Sequence, residues 1–181
     1  TLIAALLLGI SRGKNEVVFP IIIGAAAIFA SVIGTFFVKL GKDRNIWKAL
    51  NRGLLASVGV SVLLFLLISI LMFHKIEYFY ASLAGLFVTV FISTITEYYT
   101  SRDRKPVQEI AQAATTGAGT NIIAGLALGL RSTIFPILAI CVAIFAAYYV
   151  AGAYGIAIAA LAMLSLTGIV VSLDTYGAIT V

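Results

Sequence analysis

Apolar residues in this chain come in long, nearly unbroken runs, not in the three-and-four spacing of a helix with one wet face. Short polar stretches carrying the basic residues separate the runs. Residues 1–10 (TLIAALLLGI) form the first, too short to span and without a signal peptide's basic front. They read as the last turns of a helix, A, that began upstream, so the chain reads as an internal piece of a larger polytopic protein. Helix B is expected over 17–40, with Pro20 in its first turn, where proline is tolerated. Helix C is expected over 53–73 and helix D over 76–99. In the basic loop between B and C, Ile46, Trp47, Ala49 and Leu50 suggest a short interfacial turn, with Trp47 at headgroup level.

The second half is less regular. A cytoplasmic-side segment is expected over 105–130, opened by Pro106 at the start of a short surface helix. The apolar run 122–152 is too long for one simple crossing at about 1.5 Å per residue. It contains Arg131, and an arginine at the bilayer centre is costly. The cheaper arrangement puts Arg131 at the membrane face as a topology anchor and makes 132–151 helix E. Helix F follows over 153–176, without a charge until Asp174 at its end. The expected fold is therefore all-α: a polytopic transmembrane bundle of about five full spans plus the end of a sixth.

Composition agrees. The chain is 62% hydrophobic and 10% charged, with mean hydropathy +1.13, whereas a soluble domain carries roughly 25% charged residues. No segment alternates as barrel strands do, so helices are the spanning structure. The net charge of +5 does not point to nucleic acid, because the basic residues serve the loops. Lys and Arg number two between A and B, five between B and C and one between C and D. They number four between D and E, counting Arg131, and none between E and F. This alternation puts the B–C and D–E connections, and the end of F, on the cytoplasmic side.

Candidate chemistry is sparse. The interiors of the expected helices hold no Asp, Glu, Lys or His, and no Walker A loop or metal-ligand spacing occurs. No catalytic residue is assigned within these residues. Asp174 reads either as a solvated helix end or as a carboxylate facing a cytoplasmic metal or phosphate site. Glu97 has the same two readings, and Tyr98 and Tyr99 read as aromatic-belt residues.

Four segments carry a resemblance: TEYYTS at 96–101, KPVQEIA at 105–111, TGAGTNIIAGLALGLRST at 116–133 and YGIAIAALAMLSLTGIVVSLDTYG at 154–177. In this order and spacing they resemble the membrane-bound, ion-translocating inorganic pyrophosphatases. The resemblance implies a sixteen-helix subunit working as a homodimer in the lipid bilayer. It implies hydrolysis of magnesium pyrophosphate on the cytoplasmic side, coupled to outward movement of protons or sodium ions. Helix A then corresponds to the end of the sixth helix, B to E to the seventh to tenth, and F to the eleventh, beside the site. Asp174 is implied as a support for the metal–pyrophosphate site. After helix F the family pattern is D-x-Y-G-P-(I/V)-x-D-N-A-G-G. Asp174, Tyr176, Gly177 and Ile179 match it, while Ala178 replaces the proline and Val181 the second aspartate. That departure keeps a second class in view, a non-enzymatic membrane scaffold or pseudoenzyme. The coupling ion and any potassium requirement are not carried by these residues.

Overall fold

The computed structural model describes residues 1–38, 46–73, 76–102 and 104–179, without the side chains of 46–50, 173–174 and 176–179. The expectations for Trp47, for the side chain of Asp174 and for Val181 therefore lie outside the described residues. Those residues are helical nearly throughout. The elements are α1 (Leu2–Ile10), α2 (Lys14–Phe36), α3 (Ile46–Phe73), α4 (Glu77–Thr100), α5 (Lys105–Ala114), α6 (Ala118–Ser132), α7 (Ile134–Ser165) and α8 (Thr167–Ile179). Among the described residues four helical stretches are long and apolar enough to cross a membrane: Lys14–Phe36, Asn51–Phe73, Glu77–Ala114 and Ala118–Ser172. The last two, of 38 and 55 residues, exceed the roughly 20 residues that one crossing needs, and both are interrupted.

Three expectations need correction. Helix α2 begins at Lys14, so Pro20 stands inside the helix, not in its first turn. Helix α3 begins at Ile46, so the expected interfacial turn is the first part of one continuous 28-residue helix. Helix F is not one helix: a turn at Leu166 separates α7 from α8. Gly152, just before the expected start of F, has φ 64° and ψ −154° and interrupts α7. Hydroxyls flank the break at Leu166: Ser165 and Thr167 donate to local carbonyls, as Ser and Thr side chains do where they compete with the helical amide.

The chain divides into two compact units. The first comprises residues 1–90 and 143–181. Its core joins Phe19, Ile23 and Ala27 of α2, Leu54 and Phe65 of α3, Ala81 and Leu86 of α4, and Tyr154, Ile158 and Ala162 of α7. In a membrane such a core is held by close packing and interhelical hydrogen bonds, not by exclusion of water. Small residues set the spacing. A Cβ on Gly34 of α2 would collide with Ser57 of α3, and one on Gly85 of α4 would run into the backbone carbonyl of Ala159. Helix α3 buries Ser57, Ser61, Phe65 and Ser69, a four-residue spacing that places them on one face. On the outside, large apolar side chains such as Phe29, Leu63, Leu71 and Phe145 stand more than half exposed, the reverse of a water-soluble surface.

The second unit comprises residues 91–142. Here α5 and α6 lie against each other, joined by a corner dense in hydroxyls. Thr115 Oγ1 donates to the Gln112 carbonyl and Thr116 Oγ1 to that of Ala113, each at 2.7 Å. The Thr116 and Thr120 hydroxyls are 2.7 Å apart. Two of the last carbonyls of α5, those of Gln112 and Ala113, thereby gain hydroxyl donors beside the Thr115 and Thr116 amides. Pro106 stands in the first turn of α5.

Candidate functional site

Between the two irregularities of the first unit lies the stretch Ala153–Ser165 of α7, with α8 beyond it. Gly152 lies where φ is near +60° and ψ near ±155°, a region essentially reserved for glycine. It ends the preceding helical segment, so carbonyls there lack amide partners. The Arg12 guanidinium lies beside this end: a Cβ on Gly152 would stand 3.2 Å from Arg12 Nη2. A cation at a helix C-terminus is favourable. The same guanidinium lies over the Tyr154 ring, 5.5 Å from its centroid, close enough for a cation–π contact.

Tyr154 is fully buried. Its ring meets Tyr78 edge-on at 5.1 Å, and Tyr78 in turn meets Phe73 and Phe19. Its hydroxyl donates to the backbone carbonyl of Glu16 at 2.6 Å. In a regular helix that carbonyl accepts from the amide of residue 20. Residue 20 is proline and has no amide hydrogen. The tyrosine of one helix therefore supplies the donor that the proline of another lacks.

The other end of the segment shows the same device. Helix α7 stops at Ser165, which leaves the carbonyls of residues 162–165 without helical partners. Three of them receive hydroxyls. Ser165 Oγ donates to Ala162 and Thr167 Oγ1 to Leu164, each at 2.6 Å. Thr89 Oγ1 of α4 reaches the Met163 carbonyl at 3.1 Å, sharing its proton with the carbonyl of Gly85 at 3.1 Å. Gly85 makes the approach possible, since any side chain there would meet Ala159.

Asp174 belongs to α8, eight residues after the break at Leu166. Glu97 lies near the end of α4 and is half-buried. Tyr98 and Tyr99 meet edge-on at 5.3 Å, and the Arg104 guanidinium lies 5.8 Å from the Tyr98 ring centroid. Arg131 is exposed in the last turn of α6. The next residues, Ser132 and Thr133, donate their hydroxyls to the Gly129 and Leu130 carbonyls, so α7 begins only at Ile134. Among the described residues Arg131 has no carboxylate partner, and Glu97 and Arg131 are not brought together. Among them, too, no three His, Cys, Asp or Glu side chains are grouped to hold a metal. Magnesium takes about six oxygens, with one or two carboxylates beside substrate phosphates. The described residues do not by themselves make such a site.

Comparison with known proteins settles the class. A family model described as inorganic H+ pyrophosphatase matches residues 1–180. The chain belongs to that family. It is similar to the K(+)-insensitive pyrophosphate-energized proton pump of Methanosarcina mazei, 44% identical over 191 residues, covering 99% of this chain. It spans only 28% of that relative's length. The pyrophosphate-energized proton pump 2 of Mycoplana dimorpha is 45% identical over 175 residues, 90% of this chain and 84% of the relative. The putative K(+)-stimulated pyrophosphate-energized sodium pump of Clostridium tetani is 38% identical, again across 99% of this chain and 28% of its own length. Relatives named for different ions are thus similar to the same residues. With this membership and its long apolar helices, the chain is an integral membrane protein.

Proposed function

We propose that the chain is part of a membrane pump that couples hydrolysis of magnesium pyrophosphate to outward movement of protons or sodium ions. The observation that supports this best is the family match across residues 1–180. In this reading the stretch Ala118–Ser172 carries two crossings divided at Gly152, giving five spans after the end of a sixth. The loop charges put the α5–α6 segment and the end of α8 on the cytoplasmic face, and the pump works as a homodimer. Asp174 would lie beside a magnesium–pyrophosphate site whose other ligands come from parts of the pump that these residues do not include. Pyrophosphate and carboxylates repel each other, and bridging magnesium would remove that repulsion.

The test is hydrolysis of pyrophosphate by sealed vesicles carrying the full-length protein, with and without magnesium, together with ion uptake. Magnesium-dependent hydrolysis that acidifies or loads the lumen is expected. Correctly assembled protein that neither hydrolyses pyrophosphate nor moves an ion would leave the scaffold or pseudoenzyme reading in its place.

A further inference from the structure

The break at Leu166 lies within an apolar helical stretch that runs from Ala118 to Ser172. Inside a bilayer, freed carbonyls have no water to turn to, and a break persists only where protein groups satisfy them. Two of the three hydroxyls that do so, Ser165 and Thr167, are local and travel with the chain. Thr89 is different. It is buried, it belongs to α4, and it reaches the Met163 carbonyl across the helix interface. It also has an alternative: the Gly85 carbonyl on its own helix is equally near, the ordinary back-bond of a threonine in a membrane helix. A proton shared between an own-helix and a cross-helix acceptor can pass wholly to either. The segment leading to the break is meanwhile fixed at its far end by Tyr154 on Glu16 and by Arg12 at Gly152.

We propose that Leu166 is a hinge between α7 and α8, and that Thr89 is the positioning residue that fixes its setting through the Met163 carbonyl. The setting determines where α8 carries Asp174, so the link to activity, though not the hinge itself, rests on the function proposed above. With the Thr89 proton on Met163, the end of α7 is held against α4. With the proton on Gly85, the Met163 carbonyl is released, and α8 shifts along α2 and α3, against which it packs with Leu166 and Ile169 buried. Gly168, two residues past the break, lies close to α2: a Cβ there would be in ordinary contact with Ser31 Oγ, at 3.8 Å.

The experiment uses the full-length protein with Cys141 and any other native cysteine replaced. Spin labels at Leu83 and Thr175 measure a distance across the hinge, and labels at Leu83 and Ala160 measure one short of it. Thr89→Val keeps the shape and removes the hydroxyl; Thr89→Ser keeps the hydroxyl. Thr89→Val is expected to shift and broaden the Leu83–Thr175 distance, leave Leu83–Ala160 unchanged, and raise the magnesium needed for half-maximal hydrolysis by about 10-fold. Thr89→Ser is expected to restore all three. An unchanged Leu83–Thr175 distance in Thr89→Val would overturn the hinge. So would equal movement of both distances, or failure of Thr89→Ser to rescue. If Thr89→Val and Thr89→Ala both fail to assemble, Thr89 is a structural tie and the hinge is again overturned. A wild-type protein without hydrolysis would remove the functional reading alone, because the two distances decide the hinge by themselves.

Discussion

The hydroxyl of Tyr154 donates to the carbonyl of Glu16, the carbonyl that Pro20 leaves without its helical amide. This ties a defect in α2 to a residue 138 positions away in α7. Removing the hydroxyl while keeping the ring should leave a buried acceptor unpaired, at about 1–3 kcal/mol. Tyr154→Phe is therefore expected to lower stability in detergent. Pro20→Ala restores an amide for Glu16, so Tyr154→Phe should cost less in that background. The two substitutions are expected to couple by at least about 0.5 kcal/mol in a double-mutant cycle. Equal losses from Tyr154→Phe in both backgrounds would show that the hydroxyl does not replace the proline's missing donor.

Gly152 tests the division of α7. Its backbone occupies a region that other residues enter only with strain of about 1–3 kcal/mol. Gly152→Ala should destabilise by that order, and Gly152→Asn should fare no better, since asparagine's tolerance is for the left-handed helical region. Gly125→Ala is the control, because a Cβ there meets nothing within 4 Å. Thermal unfolding that ranks Gly125→Ala with or below Gly152→Ala would remove the argument.

The proposed sidedness rests on the loop charges. Single cysteines replacing Asn45 and Gln108 should react with an impermeant maleimide from the cytoplasmic side only, and one replacing Asn15 from the opposite side only. Labelling of the Asn15 and Asn45 positions from one side would refute the arrangement.

Arg131 is exposed at the end of α6, among hydroxyls that close the helix. A membrane-face anchor needs a cation, not a planar fork. Arg131→Lys should therefore insert and assemble with a change within about 0.5 kcal/mol. A large loss of assembled protein in blue-native gels would instead indicate a bidentate partner that lysine cannot serve.

The all-helical class was legible because apolar runs of spanning length leave no other structure in a bilayer. Arg131 was legible as a point where the chain divides, because a charge in a long apolar run has few acceptable places. The boundary at Gly152 followed from counting one span's length from Arg131, though its conformation did not. The break at Leu166 was not foreseen. Its signal was present in the hydroxyls of Ser165 and Thr167 beside Gly168, but an unbroken helix of 24 residues also fits a membrane. Tyr154 and Thr89 were missed for a different reason. Each acts on a carbonyl of another helix, and no local pattern names a partner 138 or 74 positions away. Pro20 held half of the signal, since a proline inside a helix always leaves the carbonyl four residues earlier in need of a donor.

Asp174, within α8, is the first charged residue after Arg131, and it matches the first aspartate of the pattern that the resemblance supplied. At a solvated helix end, Asp174→Asn would change stability and rate little, within about 0.5 kcal/mol. Beside a magnesium–pyrophosphate site, losing the charge should weaken metal binding or turnover by roughly 10–100-fold. The difference should be largest at limiting magnesium, where excess metal cannot compensate for weaker binding. The measurement is pyrophosphate hydrolysis by the full-length protein at equal expression, across a magnesium titration, with Val181→Asp made in parallel. Asp174→Asn is expected to move the titration to higher magnesium. A curve that superimposes on the wild type would exclude Asp174 from the chemistry. If the natural sequence is inactive and Val181→Asp restores hydrolysis, the missing second aspartate is what disables it, and the chain as it stands is a pseudoenzyme.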